Sequence, residues 1–185
     1  MMLTACSNKD KENRRVDKAN DQLDMIEKYV KNGVLYDVGA AAGFYMYAAK
    51  IRGWTVYGND LSTLATKWAK EKYDIDIFND FMENDPNTID QKFDLVVFWN
   101  TLEHMLNPIA TMSRVNSMLK SKGYVHIRVP IKNKNTINKF YEAGHTVEFN
   151  NEALDLLRIK NNLQLVEKNT PQSRVPCVDL IWRKP

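Results

Sequence analysis

The sequence predicts an α/β fold: a seven-stranded, mostly parallel sheet with helices on both faces and the last strand antiparallel. Three observations predict it. Short, nearly continuous apolar runs alternate with segments of helical period, the pattern of strands buried on both faces and their crossover helices. The last two apolar runs, "LQLVEK" (163–168) and "VDLIWR" (178–183), have no helical segment between them and predict an antiparallel hairpin at one edge. Near the start, "YDVGAAAGFYMYAAK" (36–50) joins a buried strand to a helix through a turn with almost no side chains.

Taken in order, residues 1–13 are polar and predict a flexible N-terminus ahead of a single domain, 14–185. Val16, Ala19, Leu23, Ile26 and Val30 recur at helical spacing and are closed by Asn32-Gly33. The run "VLYDV" (34–38) predicts the first strand, and a helix over about 42–52 buries Phe44, Tyr47, Ala48 and Ile51. After the strand "TVYGN" (55–59), Ser62 caps a helix whose inner face is Leu64, Ala65, Trp68 and Ala69. "IDIFN" (75–79) and "FDLVVFW" (93–99) predict the third and fourth strands. Asn107-Pro108 is a cap followed by a first-turn proline, opening a helix that buries Ile109, Met112, Val115 and Leu119. "YVHIRV" (124–129) predicts the fifth strand; its His126 is expected to be buried and satisfied. Residues 131–149 lack a period and read as a lid-like segment, before a helix over about 151–160 and the closing hairpin.

Composition narrows the function. With 185 residues, 44% hydrophobic and 26% charged, the chain is an ordinary globular protein able to bury a sizeable core. A net charge of +3 without any long block of like charge does not by itself argue for nucleic acid as partner. The lysines of 131–139 lack the interleaved aromatics of a single-strand groove. Two cysteines, Cys6 and Cys177, suit a reducing, cytoplasmic setting. "LTAC" (3–6) mimics a lipoprotein processing box, but the apolar stretch before it is too short for a signal. No run approaches the roughly 20 apolar residues of a membrane span.

The bare turn Asp37-Val38-Gly39-Ala40-Ala41-Ala42-Gly43 is the feature that carries chemistry. In open parallel sheets a ligand sits beyond the carboxyl ends of the strands, and the first strand–helix turn is the usual contact. Small residues let a nucleotide lie against the backbone, with Gly39 and Gly43 able to take positive φ. A dinucleotide fingerprint counted from Gly39 places Phe44 at its third glycine, which argues against NAD.

From here the sequence resembles the class I S-adenosylmethionine-dependent methyltransferases, Rossmann-like enzymes whose first motif runs acid-x-Gly-x-Gly-x-Gly. Asp37, Gly39 and Gly43 match it, and Ala41 replaces the middle glycine. "GWTVYGNDLS" (53–62) is similar to the family's second strand with its terminal acid. "FNDFME" (78–83) resembles the third-strand segment. "FDLVVFWNTLEHMLNP" (93–108) and "GHTVEFNNEALDLLRIKNNLQLVE" (144–167) resemble segments of the small-molecule branch. The resemblance implies an S-adenosylmethionine site of Asp37, Gly39, Ala40, Ala41, Gly43, Asp60, Leu61, Asp80, Phe81 and Asn100. Asp60 would accept both ribose hydroxyls. Asp80 either meets the adenine amino group or begins a polar turn, and Phe81 either lines the adenine ring or packs in the core. Of Arg14 and Arg15, one is implied to reach the cofactor's carboxylate, against the plainer reading of solvated surface charge.

His104 is the first candidate general base and His145 the second, since an imidazole titrates near neutrality. The alternatives are a histidine held near a helix start and one that docks the lid. Some relatives hold a divalent metal with E-x-x-E-H; here the first acid is Asn100, and a hard cation prefers several anionic oxygens, so no metal is expected. The expected function is methyl transfer to a small-molecule acceptor. The alternatives are a non-catalytic module that binds S-adenosylmethionine or a partner, and an RNA methyltransferase. The identity of the acceptor, the methylated element and the oligomeric state are not written in the sequence.

Overall fold

The computed structural model describes residues 9–132, 144–172 and 176–185. Six strands form one mostly parallel sheet in the order β2-β1-β3-β4-β6-β5. They are β1 (Val34–Val38), β2 (Thr55–Asn59), β3 (Phe93–Trp99), β4 (Leu119–Pro130), β5 (Gln164–Asn169) and β6 (Cys177–Arg183). Among the described residues, six helices accompany them: α1 (Lys9–Ile26), α2 (Phe44–Ile51), α3 (Thr63–Tyr73), the single turn α4 (Asn87–Asp90), α5 (Pro108–Met118) and α6 (Asn151–Lys160). The α/β class is as expected, with six strands in place of seven. The expected third strand, 75–79, makes only an isolated parallel bridge, Asn59 to Phe78. Its ladder is two hydrogen bonds long, from the Phe78 amide to the Gly58 carbonyl and from the Asp60 amide to the Phe78 carbonyl. The chain then leaves for a 3-10 turn at Met82–Asn84.

By its contacts the chain divides into two compact units, with the boundary between Leu95 and Val96. In the first unit, β1 and β2 pair in parallel, Asp37 opposite Gly58. A Cβ on Gly58 would lie 2.6 Å from the Asp37 carbonyl oxygen, so a glycine is what admits this close approach. Ala40, Met46, Ala69, Ile75 and Ile77 pack as one apolar cluster beneath the first turn. The described part of the N-terminal stretch is helical from Lys9 onward. Helix α1 packs against α2. There Arg52 donates to both Asp24 and Glu27, and the Trp54 indole donates to Glu27.

In the second unit, β6 runs antiparallel to both β4 and β5, which makes the terminal hairpin expected from the sequence. Asp179, 1% exposed, accepts two hydrogen bonds from Arg128 on the neighbouring strand. His126 is buried, and burial pushes its imidazole down to about 4 with Arg128 acting in the same direction. Asn107 accepts from the Ala110 amide and caps α5, as its sequence predicts. That helix ends at Met118, and Leu119 begins β4.

Three residues expected inside lie outside: Ile51, Leu64 and Ile109 are 61%, 62% and 52% exposed. Each helix has the expected period with a shifted face; Thr66 and Met118 are buried instead. Of the expected lid, residues 133–143 lie outside the described residues. Its flanks are tied down: the Lys132 amide donates to the Phe149 carbonyl, and the Ile131 amide to that of Pro176.

Candidate cofactor site and histidine cluster

The candidate cofactor site is built in the first unit where β1 stops. Gly39 and Gly43 have φ of 71° each, and Ala41 has φ of 51°. The turn is therefore wound through the left-handed region at three of five positions. This is the physical reason such a motif favours glycine, and why alanine at 41 carries strain of roughly 1–2 kcal/mol. Gly43 meets a second demand. A Cβ there would stand 3.3 Å from Ala69 and Ile77, so its smallness serves packing as well as conformation. The Ala40 amide donates to the Asn59 carbonyl, and the Gly43 amide to that of Ala40, which ties the turn to β2.

Asp60 joins the parts. Its Oδ2 accepts from the Ala41 amide and its Oδ1 from the Ser62 amide, both at 2.8 Å. A carboxylate offers about four acceptor positions, so each oxygen keeps capacity for one hydroxyl. Asp37, one strand over, is 2% exposed. Burial, reinforced by the charge of Asp60, pushes its carboxyl up to about 7. Asn59 was not singled out by its sequence position, yet it is central here. It is buried, its Nδ2 donates to the Asp80 carbonyl, and its Oδ1 is buried without a hydrogen-bond partner among the described residues. Such orphaned acceptors are rare unless a ligand or water completes them.

The segment after Phe78 closes this side. The Asn79 amide side chain donates to the Asp60 carbonyl. Asp80 accepts from the Phe81 amide and the Asn84 side chain, and these bonds hold its carboxyl below the usual range. The polar-turn role is thus occupied by Asp80. Phe81 is 51% exposed and Leu61 58% exposed, so Phe81 is not a core residue. Arg15 is exposed, and its guanidinium stands 5.6 Å from the centroid of Phe44, the first residue of α2.

The other singled-out residues belong to the second unit. Asn100 follows β3 with φ of 53°, and its amide donates to the Arg128 carbonyl. Glu103 and His104 lie in a 3-10 turn, Leu102–His104. The His104 Nδ1 is 2.8 Å from the Gly144 carbonyl oxygen, and its ring meets that of His145 edge-on with centroids 4.9 Å apart. The residues around His145 are fixed by hydrogen bonds. The Thr146 and Val147 amides donate to the Glu103 carbonyl, and the Thr146 hydroxyl to that of Met105.

A family model described as a methyltransferase domain matches residues 12–168. The chain belongs to that family. It is an S-adenosylmethionine-dependent methyltransferase, with S-adenosylmethionine as its cofactor. The methyltransferase has no match among curated proteins. Many solved structures share its fold. N-methyltransferase NodS from Bradyrhizobium japonicum WM9 aligns with a TM-score of 0.73 at 16% identity, over 96% of this chain and 98% of NodS. A SAM dependent methyltransferase from Archaeoglobus fulgidus aligns at 0.72 and 16%, over 91% and 94% of the two chains. Magnesium protoporphyrin IX methyltransferase from Synechocystis PCC 6803, solved with bound SAM, aligns at 0.69 and 12%, over 94% and 79%. At these identities the likeness is one of fold. Among the described residues, no helix is long and apolar enough to cross a membrane.

Proposed function

We propose that this methyltransferase transfers the cofactor's methyl group to a small-molecule acceptor, with the turn 39–43 and Asp60 holding the adenosyl part. The observation that carries the reading is the Asp60 carboxylate, fixed by the Ala41 and Ser62 amides at the end of β2. A rigid acceptor with spare lone pairs on both oxygens matches two vicinal hydroxyls better than any neutral side chain. Leu61 and Phe81 serve as the apolar walls for adenine, and Asn59 Oδ1 and Asp80 as polar contacts at its edge. Arg15 is the candidate for the cofactor's carboxylate, and Asn100 a further contact. The sulfonium supplies an electrophilic methyl carbon, which is the hard part of the chemistry. The protein's share is to exclude water and hold the acceptor in line.

His104 is the proposed base. With Nδ1 donating to the Gly144 carbonyl, Nε2 keeps the lone pair that receives a proton. His145, packed edge-on against it, is the second candidate. The two units are read as one functional domain, because the family match runs from residue 12 to 168, across their boundary.

The test combines mass spectrometry of ligands retained through purification with a turnover panel of sugars, phenols and lipid precursors, read as S-adenosylhomocysteine release. The expected result is an S-adenosyl compound bound and one acceptor class methylated. His104→Gln should lower turnover of a hydroxyl acceptor by about 10²-fold or more while leaving cofactor affinity intact. Cofactor binding with no turnover on any small molecule, or methylation confined to added RNA, contradicts the small-molecule reading.

A further inference from the structure

We propose that Glu103, His104 and His145 form a binding site for one divalent first-row transition-metal ion of the zinc class. One carboxylate oxygen and one nitrogen from each imidazole lie within 4.8 Å of one another. Bonds of about 2.1 Å in tetrahedral geometry set neighbouring ligand atoms about 3.4 Å apart, so an ion needs a contraction of at most about 1.4 Å. The motif E-x-x-E-H is incomplete in this chain, since Asn100 stands at its first acid. The fold supplies a different third ligand from a segment some 40 residues away.

The site is built rather than adventitious in three respects. Glu103 is 2% exposed, with its Oε2 buried, while His104 is open to solvent. The Gly144 carbonyl accepts from His104 Nδ1, the outer-shell contact that orients a ligating imidazole and leaves Nε2 for the metal. Gly144 presents that carbonyl with φ of 110°, a conformation that L side chains rarely adopt. The two segments are stitched together around the cluster by the Thr146 and Val147 amides on the Glu103 carbonyl. Two imidazoles and one carboxylate select zinc, iron, cobalt or nickel over magnesium or calcium, which prefer all-oxygen shells. Three protein ligands also leave coordination positions open, as in catalytic rather than structural sites.

The site shares His104 and His145 with the proposed base, so the inference is tested without the cofactor. The full chain carrying Cys6→Ser, to remove a competing thiol, is stripped with chelator and titrated with Co²⁺ and Zn²⁺ by visible absorption and calorimetry. The expected result is one equivalent of Co²⁺ with ligand-field bands of low coordination number, displaced by Zn²⁺. Glu103→Gln and His145→Ala should each weaken binding more than tenfold with unchanged thermal unfolding of the metal-free protein. No saturable binding, or binding in both variants as tight as in the unsubstituted site, overturns the proposal and leaves the base role of His104 standing. Turnover, once an acceptor is known, separates the two further: excess chelator leaves it unchanged if His104 is a free imidazole base and changes it if a metal holds His104.

Discussion

Asp37 is a carboxyl held where a charge is costly, 2% exposed and close to Asp60, and its proton is retained up to about 7. The sign of the linkage follows from that raised value. The folded protein binds this proton more tightly than the unfolded chain, whose aspartates titrate near 4. The associated stability is full below about 4 and is lost as pH rises through about 7. The melting temperature of the ligand-free protein should therefore fall across that window, and Asp37→Asn should flatten the fall. A cationic cofactor favours the ionised carboxylate, so its affinity should rise with pH through the same range, measured by calorimetry. Ala41 gives a second expectation at this scale. Its φ of 51° is strained for alanine, so Ala41→Gly should stabilise the fold by up to about 1 kcal/mol in denaturant unfolding. Asp37, Gly39, Gly43 and Asp60 were legible because their residue types answer local demands: positive φ, small volume, and an acid at a strand end. Asn59 was not, because its importance comes from burial and from partners distant in sequence.

At the scale of the element, the register of β1 against β2 depends on Gly58. A methyl group there meets the Asp37 backbone at 2.6 Å and the Met46 sulfur at 3.0 Å. Gly58→Ala should cost about 1–3 kcal/mol, the range for overpacking a close contact. Equilibrium unfolding checks it, and an unchanged midpoint would mean the strands separate without cost. Buried strands were legible because continuous apolar runs admit few other structures. The segment 75–79 reads as a strand for the same reason, but Asp74 and Asp76 are exposed and only Ile75 and Ile77 point inward. Two hydrogen bonds do not extend into a ladder once the chain turns at Asp80. Helix periods were legible and helix faces less so: Leu64 and Ile109 fit an apolar stripe whose edge faces solvent. The contact of 144–147 with Glu103 had no local signal, since it rests on long-range backbone hydrogen bonds.

For the whole molecule, two compact units lie under one family match. If they act as one domain, calorimetry should show a single unfolding transition. S-adenosylmethionine at about 100 times its dissociation constant should stabilise that transition by about 2.7 kcal/mol. Two separate transitions, with only one responding to cofactor, would contradict the single-domain reading. The central claim is that the first turn and the acid after β2 hold the adenosyl group. Its most direct test is calorimetric titration of S-adenosylmethionine into the wild-type protein and Asp60→Ala, with thermal unfolding as a check that both are folded. The account predicts a loss of about 1–3 kcal/mol in the variant, the scale for hydrogen bonds to a charged group. Equal affinity in the two proteins would contradict it.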